Sequence, residues 1–68
     1  MGRRRQLAET KKSIALGEQF IARQRTLIVA LEQKGRDTSK AQALLDRLEQ
    51  EQAMQVAERD RLLLELGG

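Results

Sequence analysis

The sequence predicts an all-α fold: an antiparallel two-helix hairpin of coiled-coil type, a single domain over residues 1–68, whose open side pairs with a second copy into a four-helix bundle. Three observations carry this. Two long runs repeat their apolar residues at helical spacing. A single interruption, Lys34-Gly35-Arg36-Asp37-Thr38-Ser39, separates them. The composition is that of long helices, rich in Leu, Ala, Gln, Glu and Arg, with no proline and Phe20 as the one aromatic residue.

Residues 1–5, Met-Gly-Arg-Arg-Arg, have nothing apolar to bury and are expected to fray. Arg3, Arg4 and Arg5 form a short basic end, read either as a solvated terminus or as a contact for phosphate or an acidic partner.

The first helix is expected over about residues 6–34. Leu7, Ile14, Ile21 and Ile28 recur every seven residues, and Phe20, Leu27 and Leu31 widen that line into a stripe broad enough for a bundle. The line Thr10, Gly17, Gln24, Leu31 falls in the same stripe and is mostly small or polar. Gly17 costs roughly 1 kcal/mol of helix propensity relative to alanine. Its place on the apolar side suggests either a neighbouring helix approaching closely, with a Phe20 from another subunit over it, or an incidental weak spot. Gln24 reads as a register-setting amide or as an edge residue of the seam. Arg4, Lys11, Glu18 and Arg25, with Lys12 and Arg23 nearby, make a charged outer side. Such a side is either simply solvated or available to a nucleic-acid backbone.

The hinge is placed at residues 35–37. Gly35 can take the left-handed conformation that closes a helix, and Asp37, Thr38 and Ser39 can each offer a side-chain oxygen to the free backbone donors of the next. Asp37 is the preferred N-cap, Thr38 the alternative, and Ser39 to Gln42 also has capping-box spacing. The second helix is expected over about residues 38–66, with Ala41, Leu44, Leu45, Leu48, Val56, Leu62, Leu63 and Leu66 on one side and Gln52, Gln55 and Arg59 breaking its middle. Residues 67–68 read as a tail. A short hinge sets Ile28 opposite Leu44 and Leu45, Gln24 opposite Leu48, Ile21 opposite Gln52, Gly17 opposite Gln55 and Val56, and Leu7 near Leu66.

Composition narrows the function. A chain of 68 residues builds only a small core without outside help. The chain has no cysteine and no histidine, which removes disulfides, thiolate or imidazole metal sites and the usual general base. Thr10, Ser13, Thr26, Thr38 and Ser39 have no histidine to activate them. The carboxylates of Asp46, Glu49, Glu51, Glu58 and Asp60 lack the histidine spacing of di-iron bundles, and no glycine pattern cradles a phosphate. The chain reads as non-enzymatic, with no cofactor and no metal. Its longest apolar run, Leu62-Leu63-Leu64, is far short of a membrane span, and no secretory h-region is present, so a soluble cytoplasmic protein without membrane contact is expected. Gln6 breaks the myristoylation pattern after Gly2.

The net charge of +3 is unevenly spread. Residues 1–34 hold eight Lys/Arg against three Glu, a net of +5; residues 35–68 hold five against seven acids, a net of −2. A basic arm beside an acidic one favours antiparallel docking and pairing between subunits, although each exposed pair contributes below about 1 kcal/mol.

The segments Gly17-Glu18, Ile21-Ala22-Arg23-Gln24, Leu31-Glu32, Gly35-Arg36-Asp37-Thr38, Ala41, Leu44-Leu45, Leu48-Glu49, Arg59-Asp60-Arg61-Leu62-Leu63 and Glu65-Leu66 resemble a group of short, uncharacterised helical-hairpin proteins of alphaproteobacteria, over roughly residues 14–66. The resemblance implies the hairpin and no activity or site. Members often carry histidine in the first helix and before the Asp-Thr pair, where this chain has Arg36 instead.

The expectation is therefore a self-associating hairpin with a structural or protein-interaction role. Its core would consist of Ile14, Gly17, Phe20, Ile21, Gln24, Leu27, Ile28, Leu31, Leu44, Leu45, Leu48, Gln52, Val56, Arg59, Leu62, Leu63 and Leu66. Its partner is a second copy, or another helical protein. The alternative is a small basic bundle binding RNA or DNA through Arg3, Arg4, Arg5, Lys11, Lys12, Arg23 and Arg25. In size and architecture, though not in sequence, that reading is similar to the plasmid-copy-number helical-hairpin RNA binder.

Overall fold

The structure is a computed structural model that describes residues 2–67. It consists of two antiparallel helices, α1 (Gly2–Gln33) and α2 (Ser39–Gly67), joined by residues 34–38. Together they form a rod 52 Å long and 14 Å in each other direction. The described residues contain no strand.

Local chemistry explains the turn. Gly35 has φ +67°, and the chain closes α1 around it. The Gly35 N–H donates to the Glu32 carbonyl at 3.0 Å and the Arg36 N–H to the Leu31 carbonyl at 2.9 Å, the paired bonds of a Schellman closure. Two residues on, Asp37 opens α2. Its Oδ1 accepts from the Ser39 backbone N–H at 2.9 Å and from the Ser39 hydroxyl at 2.6 Å. The Thr38 carbonyl accepts the first bond of the new helix, from the Gln42 N–H at 2.8 Å. The capping work is thus divided: Asp37 supplies the side-chain oxygen and Thr38 the backbone one. Ser39 spends its hydroxyl on Asp37, so it does not close a box with Gln42. The two bonds from Ser39, the side-chain one foremost, hold the Asp37 carboxyl below its usual pKa.

The helices reach further than expected at the open end. Residues 2–5, expected to fray, are the first turn of α1, and Gly67 is the last residue of α2. Ion pairs hold them. Arg3 meets Glu65 across the hairpin at 3.3 Å, and Arg5 meets Glu9 one turn on at 3.6 Å. Arg61 grips Glu65 at 2.8 Å and also binds Glu58, so an alternating chain of charges ties the end of α2 to the start of α1. The hydrogen bond from Arg61 lowers the pKa of Glu58 and raises that of Arg61. Met1 and Gly68 lie outside the described residues.

The seam between the helices follows a seven-residue repeat on α1: Leu7, Thr10, Ile14, Gly17, Ile21, Gln24, Ile28 and Leu31 are all buried or half-buried. From α2 it is met by Thr38, Ala41, Leu45, Leu48, Gln52, Val56, Arg59 and Leu62. Among the described residues the buried apolar side chains are Ile14, Ile28 and Leu62, and of these Leu62 is fully enclosed, at 0% exposure. Thr10 is buried because its hydroxyl donates back to the Gln6 carbonyl at 2.7 Å, which satisfies the one polar atom it carries inward.

Two amides set the register. Gln24 of α1 donates to the Ala41 carbonyl of α2 at 2.9 Å, and Gln52 of α2 donates to the Ile14 carbonyl of α1 at 2.8 Å. Gln24 therefore meets Ala41 rather than Leu48, and Gly17 lies against Gln52 rather than against Gln55 and Val56. With 1.5 Å of rise per residue, α2 begins roughly two turns below the end of α1. The reason is the connection, which uses five residues for a Schellman closure and a capping turn and lets the chain descend along α1 before the next helix starts.

Candidate interaction face

A two-helix rod has two flat sides, and they differ. On one, α1 presents Leu16 and Phe20 four residues apart and Leu27 seven beyond Phe20. From α2, Leu44, Leu48, Glu51 and Gln55 succeed one another at spacings of four, three and four, all on one face of the helix. Leu16 and Phe20 are each 50% exposed, Leu27 47% and Leu44 46%. A shallow groove of about 280 Å³ runs between them, with Leu16, Phe20 and Ser13 on one wall, Leu48, Glu51 and Gln55 on the other, and Gly17 and Gln52 as its floor. The opposite side is charged, marked by the Arg25–Glu49 pair at 3.4 Å.

The groove floor has a specific construction. A Cβ on Gly17 would run into the Gln52 amide, 2.9 Å from its Cδ and closer still to Oε1. Glycine is there so that Gln52 can cross the seam and reach the Ile14 carbonyl. The close approach suggested by Gly17 is thus real, but its occupant is an amide of the same chain, not a Phe20 from another subunit. Gln24 likewise reaches over Ala41, another residue without bulk. Among the described residues no buried side-chain nitrogen or oxygen lacks a partner, so the polar middle of the hairpin is complete in itself.

The expected association residues divide accordingly. Ile14, Gly17, Ile21, Gln24, Ile28, Leu31, Leu45, Leu48, Gln52, Val56, Arg59 and Leu62 line the seam within one hairpin. Phe20, Leu27, Leu44, Leu63 and Leu66 are exposed on it. Arg59 fits the polar middle by turning its guanidinium onto Asp60 at 3.1 Å.

Leu16 is absent from the expected set, and a signal for it exists in the sequence. Residues 9–16, Glu-Thr-Lys-Lys-Ser-Ile-Ala-Leu, are echoed by residues 37–44, Asp-Thr-Ser-Lys-Ala-Gln-Ala-Leu. At the same offset of four heptads Phe20 matches Leu48 and Gln24 matches Gln52. At this offset Leu16 corresponds to Leu44, and Gln24 to Gln52, the two register amides.

The basic residues do not converge. Arg3, Arg5 and Arg25 are held in ion pairs with Glu65, Glu9 and Glu49. Arg4 and Lys11 share one side of α1, while Lys12 and Arg23 fall about a quarter turn away. The line Arg4, Lys11, Arg25 on one side of α1 is interrupted by Glu18 and ends in the Arg25–Glu49 pair.

Other chemistry has little to build on. No group of three or more Asp or Glu residues among the described positions is placed to hold a metal ion, and no helix is long and apolar enough to cross a membrane. No protein-family model, curated protein or solved structure matches the chain.

Proposed function

We propose that this protein works by association: a non-enzymatic helical hairpin that pairs with a second copy of itself into a four-helix bundle, in a structural or protein-interaction role. The observation that carries the reading is surface. The hairpin exposes 5490 Å². A compact chain of 7.7 kDa exposes about 4,300 Å². The excess is comparable with the roughly 800 Å² that each partner contributes to a stable protein interface. Its quality matters as much as its area, because nine large hydrophobic side chains are exposed against three buried ones, and four of the nine, Leu16, Phe20, Leu27 and Leu44, share the apolar face. A second hairpin lying on the apolar face would supply the wall that two helices alone lack.

The residue inventory supports the non-enzymatic part, since no histidine or cysteine is available and the perturbed carboxylates Asp37 and Glu58 are explained by a capping turn and an ion pair. Nucleic-acid binding is the weaker reading, because the cations of α1 are divided between sides and partly neutralised. Sedimentation equilibrium over a concentration series tests the proposal. A mass twice that of the chain is expected, and a folded monomer at high micromolar concentration would overturn it.

A further inference from the structure

We infer that the two copies meet through the Phe20 face with their hinges at the same end, so that α1 of each lies on α2 of the other. This rests on the self-association proposed above and specifies its geometry. Two hairpins laid face to face have two simple two-fold arrangements. One places the axis along the rod, setting α1 against the partner's α2 with hinges together. The other places it across the rod, setting α1 against the partner's α1 with hinges at opposite ends.

Charge discriminates between them. Within α1 seven Lys/Arg stand against three Glu, a net of +4; within α2 four stand against six acids, a net of −2. The hinge-together arrangement opposes a basic helix to an acidic one twice. The alternative opposes basic to basic and acidic to acidic, which costs association rate and affinity at low salt.

The distribution of apolar groups points the same way. On α1 the face reads Ser13, Leu16, Phe20, Leu27 toward the hinge; on α2, from the hinge outward, it reads Leu44, Leu48, Glu51, Gln55. The face is apolar at its hinge end, where Leu27 and Leu44 lie, and mixed at its open end, where Leu16 stands among Ser13, Glu51 and Gln55. Hinges together superimpose the two Leu27 and Leu44 ends and leave Ser13, Glu51 and Gln55 at the open end in contact with water. Hinges apart would set the Leu27 and Leu44 end over the mixed end of the other copy and take water from the Glu51 and Gln55 side chains there.

The chain has no cysteine, so one thiol can be placed without background. Arg36→Cys in the exposed connection, carrying a spin label, reports the hinge-to-hinge distance by dipolar spectroscopy. Hinges together give about 25 Å or less, two helix layers plus the label arms. Hinges apart give roughly 40 Å or more, most of the 52 Å rod. A dimer with the long distance overturns the orientation and leaves self-association standing. A monomer by sedimentation overturns both, including the case in which the face serves an unrelated protein.

Phe20→Glu and Leu27→Lys assign the face, since both side chains are about half exposed and stand outside the seam. Either variant should weaken dimerisation at least tenfold with unchanged helical circular dichroism. Leu64→Glu, at a position 78% exposed and off the face, should not. Phe20→Glu and Leu27→Lys dimers as tight as the parent would show that another surface is used.

Discussion

Gln52 donates its side-chain amide to the carbonyl of Ile14 across the hairpin, at 2.8 Å and over the bare backbone of Gly17. That relationship makes a glycine inside a helix a requirement of the neighbouring helix rather than a defect. Gly17→Ala should gain about 1 kcal/mol of helix propensity and forfeit a hydrogen bond worth a similar amount. The flexible end of Gln52 can swing away, so the single variant should change stability little. In a Gln52→Ala background the same substitution should stabilise by about 1 kcal/mol. Urea unfolding of the four species gives the coupling. Equal effects of Gly17→Ala in both backgrounds would show that the two residues act independently.

The left-handed Gly35 offers a cleaner backbone test. Nothing lies within 4 Å of where its Cβ would be, so any penalty comes from φ +67° alone. Gly35→Val should cost about 1 kcal/mol or more, and Gly35→Asn distinctly less. Chemical denaturation of both variants checks the order, and a Val variant as stable as the parent would contradict it.

The leucine run 62–64 separates burial from hydrophobicity. Leu62 is fully enclosed, whereas Leu64 is 78% exposed. Leu62→Ala should destabilise by about 3 kcal/mol, and Leu64→Ala by no more than about 0.5 kcal/mol. Thermal and urea midpoints read the difference directly.

Asp37 gives the hairpin an acid-sensitive cap. Its pKa is lowered in the folded state by the two bonds from Ser39, so its contribution is complete above the ordinary aspartate value of about 4. That contribution is lost as pH falls through the depressed folded value. Asp37→Ala should therefore be less stable than the parent near neutrality, and the gap should narrow as the solution is acidified. Asp37→Asn, which keeps an acceptor without the charge, should lie between them at neutral pH. A gap that stays constant from neutral to acidic solution would exclude the carboxylate as its source.

How far the fold could be read in advance depended on how local its causes are. Gly35 and Asp37 act on their own neighbours, so the place and chemistry of the turn were legible in six residues. The seam of α1 was legible too, because a seven-residue repeat has only one reading on a helix. The register was not. Leucine layers tolerate several alignments, and the bonds that choose among them end on the carbonyls of Ile14 and Ala41, backbone atoms present at every position and marked by no residue type. The helical first turn of α1 is hidden from a local reading for a related reason: its support, Glu65, lies at the far end of the chain. Leu16 lies outside the heptad line because it stands beside the seam and not in it. Only its equivalence to Leu44 gives it away.

The ion pair between Arg3 and Glu65 has a consequence of a different kind. It brings the described beginning and end of the chain to one tip of the rod, with the tight turn at the other. Anything fused at either terminus would leave from the same tip, and the hairpin would stand as a spacer some 52 Å long between that cargo and whatever touches the turn.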